Sequence, residues 1–262
     1  MISGLPGKTA LVTGGSQGIG KALALALAHE GVNIGICARG KDKLEQAMAE
    51  IKSQTNVKVA IAPADCTNPH EVKTMVGSIA GELGGIDILV NCVGQAKAGP
   101  FIDLTDDDWL QTINLKLMAA VRVTREVLPY MMRAQGGRII MIGGVFGQQP
   151  SAFSLPMGVV NAGLFNFTKG LAQDVVKHNI LVNAVSPGRV DTPLFQQLVA
   201  RQAQQQKIAP EQALADILRD VPIGRAGTAA EVANVVLFLA SDLASYMVGE
   251  VVTVDGGWTK CL

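Results

Sequence analysis

Residues 13 to 20 read TGGSQGIG and constrain the fold more than any other stretch of the sequence. They follow an apolar run, Thr9 to Val12, that is typical of a buried strand, and they precede Lys21 to Glu30, which is rich in helix formers. Glycines at 14, 18 and 20 let the chain turn tightly and approach a ligand closely. The free N–H groups of the turn and of the helix N-terminus would point at one place, which suits a phosphate.

The glycine spacing is GxxxGxG, which differs from GxGxxG and from the GxxxxGK of nucleotide triphosphatases. Two readings of this stretch are open. It is either a phosphate-binding loop or a tight strand-to-helix connection without a ligand. The remainder of the chain has to decide between them.

Composition excludes several classes of partner. The 262 residues are 48% hydrophobic, and the 22 basic and 22 acidic residues give a net charge of zero, without a basic block. Nucleic acid and an anionic membrane are therefore not indicated as partners, and a small molecule fits better. Strand-like residues begin within ten positions of Met1, and the four cysteines have no CxxC spacing. We expect no secretory signal, no metal site, reduced thiols and a cytoplasmic location.

Short apolar runs alternate with helical patterns along the whole chain, which predicts an α/β fold. We expect one Rossmann domain over residues 1–262, with a doubly wound parallel sheet of about seven strands and helices on both faces. Ligands of such sheets bind at the carboxyl ends of the strands. After the first strand, the predicted strands are residues 32–37, 57–62, 86–90, 137–142, 180–185 and 251–254.

Two further stretches bear on ligands. Arg39 follows the second strand, where an acid would bind the ribose 2′-hydroxyl of NAD and an arginine would accommodate the 2′-phosphate of NADP. This favours NADP over NAD, although an arginine at a strand end is often only solvated. Residues 193–220 are polar and rich in Gln, and they form a helical insertion. They are either a mobile segment over a site or a plain pair of surface helices.

Seven motifs in order resemble the short-chain dehydrogenase/reductase family over essentially the whole chain. They are TGGSQGIG at 13–20, Asp65, NCVG at 91–94, Asn114 in NLK, GRII at 137–140, VNAVSPG at 182–188 and SYMVGEVVTVDGG at 245–257. The resemblance implies a Rossmann fold, oxidoreductase ancestry and a dinucleotide cofactor. It also implies a homodimer or homotetramer, with a hetero-oligomer as the alternative.

The resemblance also implies where the cofactor lies. The 13–20 loop would hold the pyrophosphate, Asp65 the adenine, residues 91–94 the ribose and residues 187–192 the nicotinamide. The predicted cofactor-binding residues are Gly14, Ser16, Gln17, Gly18, Ile19, Gly20, Arg39, Asp65, Cys66, Asn91, Val93, Gly94, Asn161, Pro187, Gly188, Val190 and Thr192.

The catalytic positions depart from the family pattern. The family uses a Ser after the fifth strand, a Tyr and a Lys spaced YxxxK in the next helix, and an Asn in the helix before. Alignment on GRII places Gly144 at the Ser, Met157 at the Tyr and Asn161 at the Lys, and only Asn114 is kept. The two tyrosines, Tyr130 and Tyr246, lie elsewhere.

No other residue restores this chemistry. Lys169 is eight residues beyond Asn161, about 12 Å along a helix, and is too far away. Met157-Gly158 matches the enoyl-reductase branch of the family, whose Tyr lies three residues earlier, but that position holds Ser154, a poor general acid. Lys97, after the fourth strand, is the one nearby cation that would supply a proton, and a solvated loop lysine is the simpler reading.

These residues lead to three hypotheses. The first is an NADP-binding oxidoreductase with altered or weak chemistry, for which an activated alkene or quinone is the more credible substrate. The second is a non-catalytic dinucleotide-binding regulatory or partner subunit. The third, non-redox catalysis in the same cleft, lacks a nucleophile or base that the sequence identifies.

Overall fold

A computed structural model describes residues 1–95 and 97–261. The strands within these ranges are short and apolar, as expected for strands covered on both faces. They are β1 (Thr9–Thr13), β2 (Asn33–Ala38), β3 (Val59–Pro63), β4 (Ile88–Asn91), β5 (Gly137–Ile142), β6 (Ile180–Pro187), β7 (Val190–Asp191), β8 (Gly227–Thr228) and β9 (Val251–Val254).

Helices connect the strands. They are α1 (Gly18–His29), α2 (Lys41–Gln54), α3 (Pro69–Leu83), α4 (Asp106–Thr112), α5 (Ala119–Arg133), α6 (Leu155–Val175), α7 (Pro193–Gln206), α8 (Pro210–Leu218) and α9 (Ala229–Ala240). Local signals set their ends. Asn68 caps α3 before Pro69, and Gly84 ends that helix in the left-handed conformation. Thr105 and Asp108 form a capping box at the start of α4.

Seven strands form one parallel sheet in the order β3-β2-β1-β4-β5-β6-β9. Alternate residues of β1 face opposite sides. Val12 packs in a core with α1 and α9, whereas Leu11 packs in a second core with α3, α5 and α6. Because every strand of this sheet runs the same way, their carboxyl ends all meet at one edge.

The predicted doubly wound parallel sheet of seven strands is confirmed, and the predicted strand ends differ from the observed ones by at most two residues. Two features were not predicted. They are the two-stranded pair β7–β8 and a π-helical turn, Ile113–Met118, that joins α4 to α5. The insertion at 193–220 contains α7 and α8, which contact each other. Within the described residues, no helix is long and apolar enough to cross a bilayer.

Candidate active site

The glycine-rich loop after β1 packs tightly against the start of α1. Gly14 and Gly18 have φ angles of 68° and 56°, in the left-handed region that favours glycine. A Cβ added to Gly20 would lie 2.3 Å from the carbonyl oxygen of Gly14, so no side chain fits there. Ile19 packs its side chain against the core, and Ser16 and Gln17 lie in the turn. The backbone of the loop, rather than its side chains, therefore forms the surface available to a ligand.

The N-terminus of α1 suits an anion. Gln17, its N-cap, makes no side-chain capping bond, and the first turn contains no acidic residue. The first amides of a helix have no partner inside the helix, and the positive end of its dipole favours negative charge. A Cβ on Gly18 would lie 3.7 Å from the side chain of Thr192, so the loop faces the segment after β6. A ligand bound here would lie between these two segments.

Two cations lie near this loop where β2 ends. Arg39 is exposed, and the Nζ of Lys43 on α2 donates to Oε1 of Gln17 at 3.1 Å. Sequence reasoning missed Lys43, because only the packing of α2 beside the loop brings it close. Asp65 follows the end of β3. Its pKa is lowered mainly by a hydrogen bond from the Thr67 amide, and the charge of Arg39 lowers it further. Cys66 is buried beside Asp65.

The end of β4 is tied to the end of β1 and to the core. Thr13 Oγ1 accepts a hydrogen bond from the Cys92 amide at 2.9 Å. Asn91 is buried, and its amide nitrogen donates to Thr124 Oγ1 at 3.1 Å and contacts the sulfur of Met141 at 3.3 Å. The amide nitrogen of Asn91 is thus committed to the core rather than to a ligand. Burial raises the pKa of the Cys92 thiol to about 11.

A buried lysine supports the loops after β4 and β5. Lys116 lies in the π-helical turn with Asn114, and its Nζ donates to the carbonyl oxygens of Ile142 at 3.1 Å and Gly143 at 3.3 Å. A Cβ on Gly94 would lie 3.0 Å from this Nζ and closer to the side-chain carbons. Burial lowers the pKa of Lys116 to about 8. Sequence reasoning missed this residue, although a lysine inside the apolar run INLKL was the signal for it.

The three positions that the sequence alignment matched to the family's Ser, Tyr and Lys lie near one another. Gly144 follows β5, and a Cβ added to it would lie 3.1 Å from Nδ2 of Asn161. Asn161 is 1% exposed, and its Oδ1 has no hydrogen-bond partner within residues 1–95 and 97–261. Met157 lies one turn earlier on α6 and is half-buried. Ser154, the N-cap of α6, makes no capping bond.

Other candidate proton donors are held elsewhere. Lys97 is exposed and forms an ion pair with Asp108 at 2.9 Å. Lys169 is exposed on α6 and pairs with Glu250 at 3.2 Å. Tyr246 is fully exposed, and the ring of Tyr130 on α5 contacts the guanidinium of Arg133.

The segment after β6 closes the cleft on its other side. Pro187 is buried at the end of β6, and a Cβ on Gly188 would lie 2.8 Å from Cβ of Asp255. Val190 is buried in the core that includes α1. Thr192 caps α7 by accepting from the Phe195 amide at 3.3 Å. The residues predicted to bind the cofactor thus follow successive strands at one edge of the sheet.

Comparisons with known proteins agree with this arrangement. A family model described as Enoyl-(Acyl carrier protein) reductase matches residues 14–259. Nodulation protein G of Rhizobium sp. (strain N33) is 36% identical over 253 residues, covering 97% of each chain. The chain belongs to the short-chain dehydrogenase/reductase family.

Two further similar proteins are named as reductases of different substrates. The 3-oxoacyl-(acyl-carrier-protein) reductase FabG of Thermotoga maritima is 34% identical, over 97% of this chain and 98% of that protein. The crystal structure of L-sorbose reductase from Gluconobacter frateurii, complexed with NADPH and L-sorbose, has a TM-score of 0.96 and 35% identity over the full length of both chains. The candidate site lies where the parallel strands end, which is where sheets of this kind bind ligands in general.

Proposed function

We propose that this chain is an NADP(H)-binding oxidoreductase of the short-chain dehydrogenase/reductase family whose usual proton-transfer groups are replaced. The observation that carries the proposal is the contrast between the two halves of the site. The loop after β1 retains a backbone cradle for phosphate, whereas Gly144, Met157 and Asn161 occupy the positions of the family's Ser, Tyr and Lys. Asn114 is the one member of that set retained.

The cradle and the donor set fit a dinucleotide. A side chain at Gly20 would fill the cradle, and the uncapped N-terminus of α1 leaves amides for a pyrophosphate. Arg39 and Lys43 lie where a 2′-phosphate would, which favours NADP over NAD. The orphaned Oδ1 of Asn161 is a buried acceptor that suits a ribose hydroxyl. The complex of L-sorbose reductase with NADPH supports the same choice.

Bound NADPH would supply a hydride to the substrate. Reduction of an ordinary ketone also needs an oxyanion donor and a general acid. The Met157 thioether can provide neither, and the Asn161 amide is not an acid in the physiological range. Loss of general acid catalysis costs roughly 10²- to 10⁴-fold, and loss of an oxyanion donor roughly 10²- to 10³-fold. An activated alkene or a quinone requires less assistance, so we propose that class of substrate.

A second candidate function is a non-catalytic, dinucleotide-dependent regulatory or partner subunit. It is favoured by one observation, namely that Lys97 and Lys169 form ion pairs away from the positions of Gly144 and Met157. In both cases we propose assembly as a homodimer or homotetramer, with a hetero-oligomer as the alternative, and a cytoplasmic location.

Titration of the purified protein with NADPH and NADH by calorimetry tests the cofactor proposal. We expect NADPH to bind more tightly than NADH, and absence of binding of both would contradict the oxidoreductase proposal. A screen of NADPH oxidation with quinones and activated alkenes then separates the two candidate functions. NADPH binding without turnover of any of them would favour the regulatory subunit.

The combined substitution of Gly144→Ser, Met157→Tyr and Asn161→Lys provides a matched comparison. If the substrate pocket is inherited from a ketone reductase, this variant should gain ketone reduction while it still binds NADPH. Of the three substitutions, Gly144→Ser and Asn161→Lys must be made together because a Cβ at 144 would lie 3.1 Å from the Asn161 amide. A variant that binds NADPH but reduces no ketone would indicate a remodelled pocket.

A further inference from the structure

An arginine and two aromatic rings form a cluster beside the candidate active site. The Cζ of Arg189 lies over the ring of Trp258 at 4.6 Å from its centroid and over the ring of Phe146 at 5.7 Å. The two rings contact each other edge to face, with centroids 5.5 Å apart and planes at 73°. Arg189 follows β6, Phe146 follows β5 and Trp258 follows β9. We call these three residues the Arg189 cluster.

The Arg189 cluster adjoins the replaced catalytic positions. Phe146 lies in the turn that begins at Gly144, and the next residue, Gly147, packs so closely on α6 that a Cβ there would lie 2.7 Å from Cβ of Asn161. The carbonyl oxygen of Phe146 lies 3.0 Å from the position of a Cβ on Gly158. The turn that carries Phe146 therefore packs directly on the part of α6 that carries Asn161.

The guanidinium of Arg189 has no carboxylate partner within residues 1–95 and 97–261. Burial lowers the pKa of Arg189, and no nearby charge opposes this effect. Its Nε is buried without a hydrogen-bond partner in the described part of the chain. An arginine stays protonated in proteins, so the side chain carries a partly buried and uncompensated positive charge.

The acidic side chains on neighbouring segments are committed to other partners. Asp255 accepts from the Thr259 amide at 2.6 Å and the Thr259 hydroxyl at 2.7 Å. Glu231 is paired with Arg225 at 2.7 Å. Because neither carboxylate pairs with Arg189, its guanidinium has no ion-pair partner in residues 1–95 and 97–261 and is available to an anionic ligand.

We propose that Arg189 binds a carboxylate of the substrate, so that the substrate class is an unsaturated or quinonoid organic acid. The proposal rests on the proposed function and names the substrate of that site. Aromatic rings against the guanidinium leave its two terminal nitrogens, Nη1 and Nη2, to donate hydrogen bonds at their shared edge, whereas Nε is buried. A carboxylate accepts two parallel bonds from such an edge. Desolvation by the rings strengthens this contact relative to one in water.

The fluorescence of Trp258 reports this binding without turnover. The chain has two tryptophans, so the substitution Trp109→Phe leaves Trp258 as the only fluorophore of its kind. This variant, saturated with NADP⁺, is titrated with crotonate and with crotonamide, which is nearly the same shape but neutral. We expect crotonate to bind at least about tenfold more tightly, as a charge-assisted hydrogen-bonded pair would give.

Arg189→Met in the same background should reduce the preference for crotonate to less than about twofold, whereas Arg189→Lys should keep part of it. Arg201→Met, a change of an exposed arginine on α7, should leave the preference unaltered. Equal binding of the two compounds, no binding of crotonate up to its solubility, or an unchanged preference in Arg189→Met would overturn the proposal.

Failure of this proposal is distinguishable from failure of the proposed function. Affinity for NADP⁺ is measured separately on the same variants, and it should be unaffected by Arg189→Met. A protein that binds NADP⁺ but shows no preference for the carboxylate would retain the proposed function and lose the proposed substrate class. A protein that binds crotonate through Arg189 but binds no dinucleotide would retain the carboxylate site and lose the proposed function. The far-ultraviolet circular dichroism of each variant confirms that it is folded.

Discussion

Lys116→Met should change how the stability of the protein depends on pH. Lys116 is 7% exposed, and its Nζ donates only to the backbone carbonyl oxygens of Ile142 and Gly143 in the described part of the chain. Burial without a carboxylate partner lowers its pKa from 10.5 to about 8. Methionine has a similar length and removes the charge, so the substitution isolates the titration of this one group.

The direction of the pH dependence follows from which state, native or unfolded, binds the proton of Lys116 more tightly. The native state binds the proton of Lys116 less tightly than the unfolded chain does, so stability rises with pH between about 8 and 10.5. The lowered pKa corresponds to about 3 kcal/mol, of which about 1 kcal/mol is recovered between pH 7 and pH 9. The raised pKa of Cys92 acts in the opposite direction above pH 9.

Urea unfolding at one protein concentration, at pH 7, 8 and 9, measures this effect. The free energy of unfolding of the unaltered protein, minus that of Lys116→Met, should rise by about 1 kcal/mol across this range. Loss of the two Lys116 hydrogen bonds changes this free-energy difference by the same amount at every pH, so it produces no dependence on pH. Lys97→Met, at an exposed ion pair, should give a flat difference. If the free-energy difference for Lys116→Met also stays constant with pH, the lowered pKa of Lys116 is refuted.

Three further predictions concern the cofactor site and the fold. Gly20→Ala should lower NADPH affinity at least about tenfold in a calorimetric titration, because its Cβ would lie 2.3 Å from a carbonyl oxygen, whereas Gly77→Ala meets nothing within 4 Å and should bind normally. Combined Arg39→Ser and Lys43→Ser should reduce the preference for NADPH over NADH about 10- to 100-fold, and an unchanged ratio would contradict their assignment. Asn183→Ala should destabilise the protein by about 2 kcal/mol in urea, since this buried amide bonds two backbone groups at 2.9 Å.

The fold was largely predictable because its determinants are local. The glycines of residues 13–20 specify a turn whose backbone requires their conformations, and two of them have φ values that other residues rarely adopt. Apolar strands and helical patterns alternate along the chain, and this alternation predicts the parallel sheet that the structure has. The β7–β8 pair escaped prediction because each strand has two residues, too few for any periodicity.

The site was predictable only where a motif marks it. Asn161 and Met157 were located by alignment to motifs on either side. Lys43 and Arg189 act through contacts between segments far apart in sequence, and no local pattern reports such contacts. Asn91 was predicted among the residues that bind the cofactor ribose, and the sequence did not indicate that its amide nitrogen also donates to Thr124, because Thr124 lies on a helix more than thirty residues away.

The proposed function combines a retained cradle with a replaced catalytic set, and the structure offers a physical basis for this proposal. The cradle is backbone, and its geometry is required by glycines that nothing larger can replace without a collision, as at Gly20. The catalytic set is made of side chains on α6 and the β5 loop, where Met157 and Asn161 pack without disturbing the sheet. Chemistry at the β5 and β6 ends can therefore change while dinucleotide binding at the β1 end is kept. Arg189 lies at the β6 end, so the substrate selection that we propose for it belongs to the half that is free to change.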